Sequence, residues 1–131
     1  MTRSSKEWVE EDLLRMIDEA EQESITLDYK ACGSLENIDG KKSEISKDVS
    51  AFANSAGGVI VYGMKEINHI ATELDDGFDP TTITKEWLED VIQGRIHPRI
   101  HDVHINPIQL ITHSSGKVAY AVTIPQSNTA H

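Results

Sequence analysis

Apolar residues at Ile45, Val49, Phe52, Ala53 and Ala56 recur at i, i+4, i+7, i+8 and i+11, one stripe of a 3.6-residue period. Gly57 follows, a residue type that closes a helix C-terminus in the left-handed conformation. Val59 to Tyr62 is then an unbroken β-branched and aromatic run, the pattern of a strand covered on both faces. The stretch from Ile45 to Met64 therefore predicts a helix, a glycine stop and a buried strand in succession. The other elements are expected to pack around this unit.

Upstream, Ser4-Ser5-Lys6-Glu7 has the spacing of a capping box and predicts a helix carrying Val9, Leu13, Met16, Ile17 and Ala20 on one stripe. Its other positions are largely acidic and read as a solvated face. Residues 1–22 form this N-terminal amphipathic helix, and 23–131 the main domain. From Ile25 to Lys30 the pattern alternates, with Ile25, Leu27 and Tyr29 toward the core and Thr26, Asp28 and Lys30 away from it. Cys32 to Lys42 reads as loop, with Gly33, Asn37, Asp39 and Gly40 as turn residues. Lys65 to Asp79 is polar and turn-rich, with a short strand expected around His69 to Thr72. Asp79-Pro80-Thr81-Thr82 leads into a third helix bearing Trp87, Leu88, Val91 and Ile92 and ending near Gly94 to Pro98. Val103 to Thr112 and Lys117 to Ile124 read as strands joined by the hairpin signal Ser114-Ser115-Gly116. The order is neither a βαβ alternation nor all-β. It predicts an α+β domain, a mixed β-sheet packed with about three helices.

Charge changes the picture more than composition does. A chain of 131 residues is one domain's worth, and its formal charge is −10. Proteins that grip nucleic acid by phosphate neutralisation carry a basic face, so the overall charge argues against strong non-specific DNA binding. The local basic groupings are Lys41, Lys42 and Lys47 near the central helix and Arg95 and Arg99 further on. Only 5% of residues are aromatic, so Trp8, Trp87, Phe52 and Phe78 are expected to supply much of the bulky packing. Cys32 is the single cysteine, so no intrachain disulfide forms, and no run approaches the roughly 18 apolar residues of a membrane span. A cytoplasmic, soluble protein is expected.

Gly57-Gly58 is not a nucleotide cradle. Neither G-x-x-x-x-G-K-[ST] nor G-x-G-x-x-G is present, and the pair follows a helix, whose C-terminal end repels phosphate. The acids are more informative. Asp28 and Lys30, two apart on a strand, point to one face; D-x-K is a spacing found in metal-dependent nucleases, and equally in surface ion pairs. Glu23 precedes that strand and Glu66 follows the buried one, so neighbouring strands would let Glu23, Asp28 and Glu66 converge. Three crowded carboxylates repel unless a cation or protons intervene. His97, His101 and His104 suggest zinc only weakly, because Pro98 interrupts any helix through them.

Glu23-Ser24-x-x-Leu27-Asp28-Tyr29-Lys30, then Ala51-Phe52-Ala53-Asn54-Ser55-x-Gly57-Gly58, a strand to Gly63 and a closing Val122-Thr123-Ile124-Pro125-x-Ser127 resemble the Schlafen-type AlbA domain. The resemblance runs from Glu23 to the end. It implies an α+β fold and DNA binding of the kind found in prokaryotic transcriptional regulators, with Asn54, Gly57 and Gly58 as structural motif residues. It also implies, from eukaryotic Schlafens, RNA cleavage at three carboxylates. By motif these are Glu23, Asp28 and Glu66, which would hold Mg²⁺ or Mn²⁺ with Lys30 as electrostatic stabiliser. Asp28 stands where the family has Glu, and Glu66 where it has Asp, so each carboxylate's reach changes by one methylene. Ala130 stands where Pro is usual before His131, and relatives continue with a further strand, so the chain is expected to be an N-terminal piece.

Three functions follow for comparison. The first is a nucleic-acid-binding domain for DNA or structured RNA, in which Lys41, Lys42, Lys47, Arg95 and Arg99 face phosphates. The second is a Mg²⁺- or Mn²⁺-dependent ribonuclease. The third is an oligomerisation or scaffold module, with a homodimer as its partner state.

Overall fold

The computed structural model describes residues 3–35, 39–96 and 99–127, without the side chains of Ser34 and Arg95. Its helices are α1 (Glu10–Asp18), α2 (Asp39–Ala53) and α3 (Lys85–Arg95), and its strands are β1 (Leu27–Lys30), β2 (Gly58–Tyr62), β3 (Met64–Ile67), β4 (Ile70–Leu74), β5 (His104–Leu110) and β6 (Lys117–Ile124). Four strands form a mixed sheet in the order β1-β2-β6-β5, with β1 parallel to β2 and the other neighbours antiparallel. The antiparallel pair β3-β4 is a second, smaller sheet. The expected α+β arrangement, three helices with a mixed sheet, is the one observed.

The large sheet is buried on both faces, which is why Val59–Tyr62 and β6 read as continuous apolar runs. On one face Ile60, Tyr62, Tyr120 and Val122 pack with Ile45 and Val49 of α2 and Leu88 and Ile92 of α3. On the other, Tyr29, Val61, Ala119 and Ala121 meet Leu13 and Met16 of α1 and Met64, Ala71 and Leu74 of the hairpin. Ile45 and Val49 are 1% and 0% exposed. Their burial stabilises the α2 contact by about 3–5 kcal/mol.

The corner between α2 and β2 explains the glycine pair. Gly57 takes φ +75°, and its N–H donates to the Phe52 carbonyl at 2.8 Å. A Cβ on Gly57 would stand 2.6 Å from the Ile124 carbonyl oxygen, and one on Gly58 would stand 2.7 Å from the Phe52 ring. Ser127 N–H donates to the Ala53 carbonyl at 2.8 Å. The stretch from Ile124 to Ser127 thus lies directly on the helix–glycine–strand corner, with Asn54 exposed in its turn.

Several expectations need correction. Ser4 caps only a 3-10 turn, Ser5–Glu7, and α1 starts at Glu10 with the Asp12 carboxylate accepting the Val9 N–H at 2.9 Å. The Asn106 side-chain amide donates to the Ser5 and Trp8 carbonyls, capturing groups that a longer helix would use internally. The acids of α1 are not all solvated, since Glu10 is 7% and Asp12 0% exposed. Ile25 is 76% exposed, in a turn that Ser24 and Leu27 close by mutual backbone hydrogen bonds, so β1 begins two residues late. The expected loop from Cys32 to Lys42 contains a 3-10 turn, Cys32–Leu35, and α2 already starts at Asp39. Its first turns are polar and exposed, so no apolar stripe announced them; Asn37 lies outside the described residues. Thr84, not Asp79, caps α3, its hydroxyl accepting the Trp87 N–H at 2.9 Å. The segment expected to be mostly loop folds as the β3-β4 hairpin. His69 is not in a strand: Asn68 and His69, with φ +52° and +68°, form its two-residue turn. Positive φ at both positions is the type I′ geometry that matches strand twist.

Candidate functional site

Parallel pairing sets Asp28 opposite Ile60 and Lys30 opposite Tyr62, so both polar side chains of β1 lie on the face that carries α2. There Lys30 Nζ sits 3.3 Å from Asp28 Oδ2 and 3.9 Å from Asp48 Oδ2 of α2. The segment before β1 runs beside β4: Gln22 bridges Ile70, and the Glu23 N–H donates to the His69 carbonyl at 2.6 Å. This fixes Glu23 between the two sheets. Its Oε2 accepts the Tyr29 N–H at 2.7 Å, and its Oε1 lies 2.7 Å from His69 Nδ1. Glu66 Oε2 accepts the His69 backbone N–H at 2.6 Å, just past a register shift between Lys65 and Glu66. The Glu23 side chain is 12% exposed, whereas His69 and Glu66 are exposed. An open depression over this rim is lined by Glu23, Leu27, Asp28, Phe52 and His69.

The acids carry opposite tendencies. Burial, with a hydrogen bond to Glu23, raises the Asp28 carboxyl to about 7 against the pull of Lys30. Burial pushes Glu23 up too, but hydrogen bonds from Asp28, the Tyr29 N–H and His69 outweigh it and leave Glu23 below the usual carboxylate range. The pair is thus biased in opposite directions, Asp28 toward its protonated form and Glu23 toward its ionised form. The hydrogen bond with Glu23 raises His69, favouring its cationic form. Burial and the Asp75 carboxylate push the Cys32 thiol up to about 11, which leaves no thiolate at neutral pH.

Among the described residues, one group of ligating side chains lies within 4.8 Å of one another: Glu23, Glu66 and His69. Asp28 joins this rim through Glu23, not as a member of that group. Two of the expected acids therefore come together with a histidine that the sequence reading had not selected; the available signal was Asn68, a turn former with positive φ directly before it. His101 is in the coil preceding β5 and His104 on β5, outside that group, and His97 lies outside the described residues. The basic residues are spread out. Lys41 pairs with Glu44 at 3.9 Å, Lys42 is half-buried and Lys47 exposed on α2, and Arg99 Nε donates to Gln93 at 3.1 Å. The Arg95 side chain lies outside the described residues. Lys30 is the cation in contact with Asp28. Among the described residues, no helix is long and apolar enough to cross a membrane.

Comparison with known proteins places this geometry in a family. No protein of curated function matches the chain. Among solved structures, the fold is similar to the crystal structure of the DIP2311 protein from Corynebacterium diphtheriae, with a TM-score of 0.53 at 15% identity. That match covers 92% of this chain and 26% of the other, so the chain spans about a quarter of that relative's length. The family model described as Schlafen, AlbA_2 matches residues 23–131, from the first acid of the rim onward. With most of its length matched and the motif residues meeting at one corner and one rim, the chain belongs to the Schlafen AlbA_2 family.

Proposed function

We propose that this domain binds nucleic acid, meeting phosphates at the rim where β1 and the β3-β4 turn come together, and that it serves a cytoplasmic prokaryotic regulator. The observation that carries the reading is the group of Glu23, Glu66 and His69 with the Lys30–Asp28 ion pair at its side. Family membership supports it at the level of a nucleic-acid-related domain. A chain of charge −10 does not hold a polyanion through scattered lysines alone. A divalent cation at the rim, once bound, supplies the positive charge that a phosphate oxygen meets. Glu23 and Glu66 have the donor chemistry to hold it, and Lys30 adds a fixed ammonium beside them. Fluorescence anisotropy with duplex DNA and structured RNA at low salt, with Mn²⁺ or with a chelator, tests the reading. Binding with a cation dependence is expected; no binding to either in any condition overturns it.

A second reading, RNA cleavage, is favoured by the contact between Lys30 and Asp28. An ammonium beside an acid whose pKa lies near neutrality is suited to stabilising charge that develops on a phosphoryl group. Degradation of tRNA that requires a divalent cation and is lost in Asp28→Asn is the expected result. Equal activity in that variant sinks it.

A further inference from the structure

The donor group at the rim differs from the set of three carboxylates that motif alone selects. His69 Nδ1 and Glu23 Oε1 stand 2.7 Å apart, and one ligating atom each from Glu23, Glu66 and His69 lies within 4.8 Å of the other two. Three donors about 2.0–2.2 Å from one tetrahedral ion stand about 3.3–3.6 Å apart, so closing this group requires the exposed Glu66 and His69 side chains to swing by about an ångström, which their exposure permits. The short Glu23–His69 contact is one where a proton now sits and where an ion would replace it. Both carboxylates are already oriented by backbone donors, Glu23 by the Tyr29 N–H and Glu66 by the His69 N–H. Such outer contacts fix the direction of a ligand before the ion arrives. Asp28 faces differently: Lys30 Nζ lies 3.3 Å from its Oδ2, and an ammonium at that distance opposes a second cation.

We propose that the cation site of this domain consists of Glu23, Glu66 and His69 with Asp28 outside the ligand set, and that it selects a borderline ion of the Zn²⁺ class over Mg²⁺. The inference rests on the rim described above and specifies its ion. An imidazole nitrogen beside two carboxylates suits Zn²⁺ or Co²⁺, whereas Mg²⁺ prefers oxygen alone and keeps its waters. Three protein donors leave a coordination position open, as a phosphate-facing ion requires.

Binding of Zn²⁺, Co²⁺ and Mg²⁺ to the chain without nucleic acid tests this, read by calorimetry and by the Co²⁺ visible spectrum. The wild type is expected to bind one Zn²⁺ at least about 100-fold more tightly than Mg²⁺. His69→Gly should weaken Zn²⁺ at least about tenfold and alter the Co²⁺ spectrum, while Asp28→Asn should change Zn²⁺ affinity less than about threefold. Glycine occupies φ +68° without strain, so the hairpin survives the substitution. Unchanged Zn²⁺ affinity in His69→Gly, an equal loss in Asp28→Asn, or Mg²⁺ binding as tight as Zn²⁺ would each overturn the assignment. Anisotropy on the same preparations separates the two claims. His69-dependent zinc binding without nucleic-acid binding removes the functional reading alone. Nucleic-acid binding with His69-independent metal binding removes the present inference alone.

Discussion

Glu10 is the sharpest test of how this fold is held. It sits in the first turn of α1, 7% exposed, and its carboxylate accepts the Thr112 N–H (3.1 and 3.3 Å), the Thr112 hydroxyl (2.9 Å) and the His113 N–H (3.1 Å). One side chain thus ties the start of the first helix to the loop between β5 and β6. Hydrogen bonds to a charged group contribute about 1.5–3 kcal/mol each, and an acid in the first turn adds about 0.3–1 kcal/mol through the helix dipole. Burial of the carboxylate offsets part of this, so Glu10→Gln should cost about 2–3 kcal/mol at pH 7, because the new amide faces donors with donors. That is about 6–12 °C in Tm for a domain of this size. Burial alone would raise the Glu10 pKa, but the backbone hydrogen bonds from Thr112 and His113 lower it below its ordinary 4.5. Its stabilisation is therefore complete above about pH 4.5 and is lost as pH falls through the depressed folded value. Urea unfolding followed by far-UV circular dichroism, at pH 7 and down to pH 3, measures both effects. The gap between wild type and variant should narrow over the acid range. A gap under about 0.5 kcal/mol at pH 7, or one that stays constant to pH 3, refutes the reasoning.

Gly57→Ala should destabilise by about 3 kcal/mol or more, since it adds left-handed strain to a Cβ placed 2.6 Å from a backbone oxygen, whereas Gly94→Ala in α3, with open space around the added carbon, should gain about 0.5–1 kcal/mol. Equal melting temperatures for the two variants would contradict that account of the corner. Tyr62→Phe removes a buried hydroxyl with no hydrogen-bond partner among the described residues and should be neutral or gain up to about 1 kcal/mol in urea melts; a comparable loss would reveal a partner. Glu23→Ala should cost about 1–3 kcal/mol by freeing the Tyr29 N–H and the seam beside it, while exposed Glu66→Ala should stay within about 0.5 kcal/mol of wild type. Thermal denaturation of both variants checks this, and similar losses would show that the two acids share one structural role.

What the sequence disclosed tracks how burial constrains residue choice. Val59 to Tyr62 and Val118 to Val122 lie inside the sheet, where apolar side chains fit best, so their strands stood out. Gly57 announced its corner because no other residue type accepts both its φ and the neighbouring carbonyl. The β4 strand was legible in part, as the short strand expected around His69 to Thr72, but β3 was hidden because Lys65, Glu66 and Ile67 are exposed and only Met64 reaches the core. The burial of Glu10 and Asp12 was equally illegible. A carboxylate on a helix looks the same whether water satisfies it, or a loop a hundred residues away as for Glu10, or an arginine nine residues upstream as for Asp12. At the site, motif spacing pointed to Glu23, Asp28 and Glu66, but spacing carries no information about which face a turn residue joins. His69 entered through the hairpin turn, and Asp28 was drawn toward Lys30.

The placement of the site at a seam has a consequence for how its chemistry depends on the fold. Asp28 and Lys30 belong to the large sheet, whereas Glu66 and His69 belong to the small one, and the two are joined at Glu23 by hydrogen bonds to each. The hairpin turn contributes little buried apolar surface, so replacing His69 by glycine, which accepts its positive φ, or the exposed Glu66 next to the turn costs little stability. Glu23 has no such freedom, because its carboxylate satisfies a backbone N–H inside the seam. Function and stability are therefore separable at His69 and Glu66 but fused at Glu23. A loss of binding on removing Glu66 or His69 reports on the ligand, whereas the same loss at Glu23 is interpretable only beside a melting curve.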